Sequence, residues 1–396
     1  MSLPNEQIEY SRKDLSPKVR QIGLLLFALG LIIAVAAYLT EPIRASFMNL
    51  VLLMFLLSVG LGSLFFVALE YLAGAVWSTP YRRIIEIFAA TLFVLPIVAL
   101  PVYFNIHDLF HWTHLDGVSK DIALSSKSGY LNVPFFTVRI IAFFLVWILF
   151  YSLLTRNSRK QDAIKDQLLT KKNIKISAVF MPFFALTVTF SAIDWMMSLE
   201  PHWFSTIFGV YYFSGTVLAA LSVATVAIIL LNKNGYLVKG IISDHYYSLG
   251  ALLFAFINFW AYIAFSQFLL IWYANLPEET FWFLSRWENG WMFFTIGLAF
   301  VHFLVPYFGL LSQPSKMNPN RLLFMSVWIL VAHFYDLYWL IMPTFSKGEF
   351  VFGWMEIGFI LLGFGILVLI FVVFSKNKNL VPVGDPKLKR GIDFRL

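Results

Sequence analysis

The chain has 396 residues, of which 60% are hydrophobic and only 13% charged, with 29 Lys and Arg against 22 Asp and Glu. Soluble domains carry nearer a quarter charged residues, so this composition excludes an ordinary water-soluble enzyme. There is no cysteine, which excludes disulfides, thiolate-bound iron–sulfur clusters and covalently attached c-type haem on this chain.

About 20 consecutive apolar residues carry a helix across the hydrocarbon core of a bilayer. By that measure the sequence predicts ten spans, at residues 21–39, 47–77, 84–106, 134–154, 176–196, 203–231, 245–273, 289–310, 321–342 and 350–374. The expected fold is therefore an all-α polytopic membrane protein. Residues 1–20 form a polar N-terminal tail, 21–374 the membrane domain and 375–396 a C-terminal tail. The first span is read as a retained helix, because it lacks a small-residue cleavage site. Most connections are short, which favours two four-helix bundles, spans 2–5 and 6–9, with spans 1 and 10 peripheral.

Loop charge sets the expected orientation. Segments on the side of the termini hold 23 of the 29 basic residues, including the stretch Thr155–Lys175, read as a basic loop with a short surface helix. The opposite side holds five: Arg44, Lys120, Lys127, Arg286 and Lys347. Basic loops stay in the cytoplasm, so both termini are expected there. The net charge of +7 then reflects topology and anionic lipid, not nucleic acid.

Ionisable residues inside spans are costly and need a protein or water environment. Glu70, in span 2, and Glu86, at the start of span 3, read either as the mouth of an inner proton path or as structural hydrogen-bonding groups. The loop after span 3 carries His107, Asp108, His111, His114 and Asp116. Arg139 lies about one turn into span 4 and wants a carboxylate or a ligand oxygen, with Asp194, Glu356 and the acids of that loop as candidate partners; snorkelling to the interface is the other reading. Thr187, Ser191 and Asp194 share one face of span 5. They read either as steps for a water chain or as hydroxyls bonded back to their own helix. His302 in span 8 and His333 with Asp336 in span 9 form a second buried group. Helical rise places His302 about 20 Å and His333 about 14 Å from their outer helix ends, a poor match for one shared haem. A proton network and satisfied core histidines are both open readings. Glu356 faces either the core or a partner.

Nine of the 13 tryptophans fall near the outer ends of spans, as an interfacial belt requires. The segment 272–291 is denser than a belt needs, and reads as an interfacial helix or a docking surface. No phosphate-binding loop, zinc motif, catalytic triad or dinucleotide fingerprint is present. The glycines within spans read as close-packing positions.

The order of ten spans, the His107–Asp116 loop, the segment FSAIDWMMSLEPHW at 190–203 and the segment FSQFLLIWYANLPEETFWF at 265–283 carry a resemblance. They resemble the NrfD/PsrC-type quinol-interacting membrane subunits, and within them the shorter, ActF-type subunit of the bacterial alternative complex III. That resemblance implies the bacterial inner membrane and a respiratory complex that oxidises menaquinol or ubiquinol. It implies an iron–sulfur subunit, c-type cytochrome subunits and a second NrfD-like membrane subunit as partners, with haem and clusters in those partners only. It places a quinol site near the outer surface of the first bundle, around His107, His111, Arg139 and Asp194. The rival expectations are a secondary transporter and a structural membrane scaffold.

Overall fold

A computed structural model describes residues 10–114 and 121–396. Among these residues ten helices are long and apolar enough to cross a membrane: α1 (Pro17–Thr40), α2 (Pro42–Ala73), α3 (Thr79–Phe104), α4 (Val133–Ile164), α5 (Gln167–Trp195), α6 (Phe208–Lys233), α7 (Ser243–Ala274), α8 (Trp291–Leu310), α9 (Pro319–Phe345) and α10 (Trp354–Ser375). No strand occurs among the described residues. This is an all-α, multi-pass membrane protein, the form that satisfies every backbone group within each segment when water is absent.

Helix starts follow local chemistry. Pro17, Pro42 and Pro319 stand in first turns, where the missing N–H costs nothing. Asn132, Asp166 and Asn318 cap α4, α5 and α9 by accepting from backbone N–H groups one turn on.

Several boundaries differ from the sequence expectation. Only Glu41 separates α1 from α2, so Arg44 is a buried residue of α2 and not a loop residue. It holds Glu356 of α10 through two nitrogens, with Nη2 2.9 Å from both carboxylate oxygens. Glu356 therefore faces the core. The basic stretch Thr155–Lys175 is almost wholly helical, with α4 ending at Ile164 and α5 beginning at Gln167. Polar side chains hold this projecting hairpin together: Asn157 donates to Asn173 at 2.8 Å, and Gln161 to Thr170 at 2.7 Å. A hydropathy pattern ends where the lipid ends, whereas these helices do not.

Two helices organise the packing. α2 contacts α3, α5, α6, α9 and α10, while α6 contacts α2, α5, α7 and α9. α4 lies on α5, and α1 runs along α10. The α1–α10 crossing is close because glycines stand at its tightest points. A Cβ on Gly30 would stand 2.3 Å from the Leu362 backbone nitrogen, and one on Gly365 2.5 Å from that of Phe27.

The segment after α10 folds back across the helix ends on the face of the two termini. Leu380 N–H donates to the Tyr10 hydroxyl, and His245 Nε2 donates to the Gly391 carbonyl.

Candidate functional site

Besides the Arg44–Glu356 pair, three clusters of buried ionisable residues stand out among the described residues. The first lies toward the face opposite the termini, in α4 and α5. Arg139 Nε donates to Asp194 Oδ2 at 2.8 Å and its Nη2 to Oδ1 at 3.0 Å. Nη1 reaches the Tyr130 carbonyl, and the Tyr130 hydroxyl donates to Asp194 Oδ1 at 2.9 Å. The guanidinium also stacks 3.8 Å from the Tyr130 ring centre. Asp194 is fully buried. Burial, with Asp194 beside it, pushes the Tyr130 phenol well up. Each charge here has its complement and each acceptor a donor.

The other residues grouped with this pair stand apart. Thr187 donates back to the Phe183 carbonyl and accepts from Trp147, while the Ser191 hydroxyl is buried without a partner. No hydrogen bond among the described residues joins Thr187 or Ser191 to Asp194. His107 and His111 are exposed, and neither side chain bonds to Arg139 or Asp194. His114 Nε2 donates to the His107 carbonyl. Asp116 lies outside the described residues.

The second cluster lies at the face of the termini. Arg82 joins Glu70 at 3.0 Å and Asp385 at 2.7 Å. Arg83 meets Glu86 at 3.3 Å and Asp162 at 3.0 Å, and Ser158 donates to Glu86 at 2.6 Å. Glu70 and Glu86 are thus ligated by arginines from the start of α3, and Asp385 brings in the C-terminal segment. Sequence reading named the glutamates but not Arg82, Arg83 or Asp385, which hydropathy assigns to loops.

The third cluster is in the second half. His302, His333 and Asp336 each offer a ligand atom within 4.8 Å of the others, and all are buried. The depth mismatch expected between the histidines is absent. α8 begins at Trp291 and α9 runs on to Phe345, so both histidines lie about 17 Å from their helix ends at 1.5 Å per residue. Asp336 accepts from the Tyr211 hydroxyl at 2.5 Å and from Trp260 Nε1 at 3.1 Å, and it has no ion-pair partner among the described residues. His333 Nε2 bonds to the Ser58 hydroxyl of α2 at 2.9 Å, while its Nδ1 has no partner. Neither ring nitrogen of His302 has one. The His302 ring lies on Trp260 with centres 3.8 Å apart.

Local backbone chemistry explains how His302 comes here. Residues Ala299–Leu304 form a wide π turn. Pro306 follows; it has no N–H to offer the His302 carbonyl, and its ring crowds that carbonyl in a regular helix. Opposite, a Cβ on Gly215 would stand 2.6 Å from the His333 ring, so glycine lets α6 approach. Three ligand atoms at this spacing suit one shared cation or a short water chain. Tyr211 and Trp260 escaped sequence reading. The one available signal was Trp260 itself, a mid-span tryptophan far from any interfacial belt, which needs a buried acceptor.

Two cavities adjoin these groups. One of about 540 Å³ lies beside the first cluster, lined by Tyr130, Lys127, Ile193 and Met197 among others. The larger, about 870 Å³, lies between α7, α8 and the short helix Pro277–Leu284, and reaches Tyr211 and Trp260. That short helix is pinned by Arg286, whose guanidinium donates to the carbonyls of Trp282, Trp339 and Leu340 and stacks 3.5 Å from the Trp282 ring. Arg286, counted with the loops in sequence, is buried, and burial pulls it down to about 9. No protein-family model matches the chain. No curated protein matches it either.

Proposed function

We propose that this chain is the membrane subunit of a quinol-oxidising respiratory complex, similar to the NrfD/PsrC-type subunits and to the ActF type in particular. It contributes to assembly and to proton movement in a bacterial inner membrane, with both termini cytoplasmic. Its partners are an iron–sulfur subunit, c-type cytochromes and a second NrfD-like membrane subunit. Quinol oxidation releases protons and electrons together. With no cysteine in the chain, the electrons leave through the partners' centres.

The observation that carries this reading is the carboxylate of Asp336, buried in a membrane span without a cation and beside two histidines with unused ring nitrogens. A buried acid beside histidines with free ring nitrogens offers successive donors and acceptors along which a proton can pass. Basic-residue asymmetry supports the orientation. The transporter reading draws on the interrupted helices α3 and α8. When the two hub helices α2 and α6 are matched, those interruptions fall on non-equivalent members, unlike the paired broken helices of transporters.

Purification from the native membrane tests the proposal. Co-purifying c-type haem and iron–sulfur proteins, with quinol oxidation that Asp336→Asn slows, is the expected result. A lone chain that moves a solute and brings no redox protein with it overturns the reading.

A further inference from the structure

The third cluster has the donor set of a metal site. His302, His333 and Asp336 are each 1% exposed, and each brings a ligand atom within 4.8 Å of the other two. Two imidazoles and one carboxylate suit a divalent transition-metal ion such as Zn2+, and suit Mg2+ or Ca2+ poorly. Zinc bonds of about 2.0–2.2 Å hold tetrahedral ligand atoms roughly 3.4 Å apart, so small side-chain rotations would close these three on one ion.

The surroundings are built to match. Side chains that ligate a metal are normally oriented by a further hydrogen bond behind them. Asp336 has Tyr211 on one oxygen and Trp260 on the other, and each oxygen keeps a lone pair to spare. The Ser58 hydroxyl gives its one proton to the Met54 carbonyl at 2.8 Å. The bond with His333 therefore runs from Nε2 to Ser58 and leaves a lone pair on Nδ1, which has no partner. His302 is steadied by the Trp260 ring, and neither of its nitrogens meets a protein group among the described residues. A buried imidazole with no partner at all is costly. The cavity of about 870 Å³ reaches Tyr211 and Trp260, the two residues bonded to Asp336, and gives a small solute an approach.

We propose that His302, His333 and Asp336 bind one divalent transition-metal ion of the Zn2+ class, with water in the fourth position. Binding does not depend on the quinol-complex reading above. Under that reading, ligand atoms engaged by an ion are closed to protons, so the same site is where such an ion would arrest proton movement.

Metal content of the protein purified from its native membrane, without a polyhistidine tag, tests the site. The probe is Zn2+ alone, added after chelator treatment and followed by dialysis against excess Mg2+ and Ca2+. His302→Phe keeps a ring against Trp260 and removes its nitrogens, and Asp336→Asn removes the charge. The controls are His202→Ala and the pair His107→Ala with His114→Ala, which remove exposed imidazoles. The expected result is one more tightly held Zn2+ per chain in the parent than in His302→Phe. Affinity should fall at least tenfold in either cluster variant and stay at the parent value in the controls. Zinc-edge X-ray absorption of the loaded parent needs no variant, and should show imidazole nitrogen and oxygen in the coordination of that ion. Zinc that the controls lose and the cluster variants keep is an adventitious surface ion only, and overturns the site. So does a b-type haem absorption that His302→Phe removes. A parent that retains no zinc, yet oxidises quinol and is slowed by Asp336→Asn, overturns the metal site and leaves the quinol-complex reading standing.

Discussion

Asp194 in the first half of the molecule and Asp336 in the second are both buried carboxylates on membrane-spanning helices. Asp194 has a guanidinium on two of its faces and a phenol on a third. Among the described residues, Asp336 has only the neutral donors Tyr211 and Trp260. The contrast separates two uses of a buried acid. A closed ion pair fixes helices in place, and its charge is spent on its partner. An acid that meets only neutral donors, beside imidazoles with unused ring nitrogens, breaks no ion pair when it changes protonation state.

The largest expected effect is on the closed pair. Asp194→Ala strands the Arg139 guanidinium in an apolar site, which should cost about 3–5 kcal/mol. Thermal unfolding in detergent and yield of assembled protein read this loss. The double substitution Arg139→Leu with Asp194→Leu should recover most of it, since it removes both charges together. A double variant as unstable as the single one would mean that the pair does more than neutralise itself.

Next comes the packing around the open cluster. Gly215→Ala places a methyl group 2.6 Å from the His333 ring. Displacing that ring strains its bond to Ser58 and should cost roughly 1–3 kcal/mol. A stable variant with unchanged turnover would show that α6 and His333 are loosely fitted. Asp336→Asn should change stability least among these core variants, because no ion pair is broken. It should slow proton-coupled quinol oxidation by about tenfold, equivalent to roughly 1.4 kcal/mol. Unchanged turnover and proton yield would leave Asp336 a passive acceptor for Tyr211 and Trp260.

Much of this architecture was legible in the sequence because lipid imposes one strong rule. Ten apolar stretches became ten helices, and Asp194 is the one among several candidate partners that Arg139 meets. What the rule does not cover was misread. Hydropathy assigns charge to loops, so Arg44 and Arg286 were placed outside although each is buried against a specific partner. Helices that continue past their apolar stretch in polar turns, as α4 and α5 do, look like loops because hydropathy reads those polar residues as solvated. The meeting of His302 with His333 was hidden by small errors. A few residues at each helix end shift apparent depth by several ångströms, and the π turn before Pro306 rotates His302 toward α9. Tyr211 could not be found from its own segment, since a tyrosine near the end of a span fits a membrane belt equally well.

The two halves also differ in how their segments on the face opposite the termini are held, and pH can expose that difference. The helix Ile122–Lys127 is tied by Asp121, which meets His202 at 2.6 Å, and by Lys127, which donates to the Pro201 carbonyl. These ties are solvent-accessible. The hydrogen bond from His202 holds the Asp121 carboxyl below its usual range, helped by the Leu124 N–H at the helix cap. A carboxyl lowered in the folded state contributes stability that is present above its unfolded value and lost as pH falls through its folded value. Acidification into the carboxylate range should therefore loosen residues 121–127. The helix Pro277–Leu284 is pinned instead by Arg286 on backbone carbonyls, which carry no titratable proton in that range. Hydrogen exchange between neutral pH and the carboxylate range, corrected for the intrinsic pH dependence of exchange, reads both segments at once. Protection should fall in the first and hold in the second. Asp121→Asn should weaken the first segment already at neutral pH and make it less sensitive to acid. Equal loss in the two segments would mean that acid acts on the whole outer face, not on the Asp121–His202 tie.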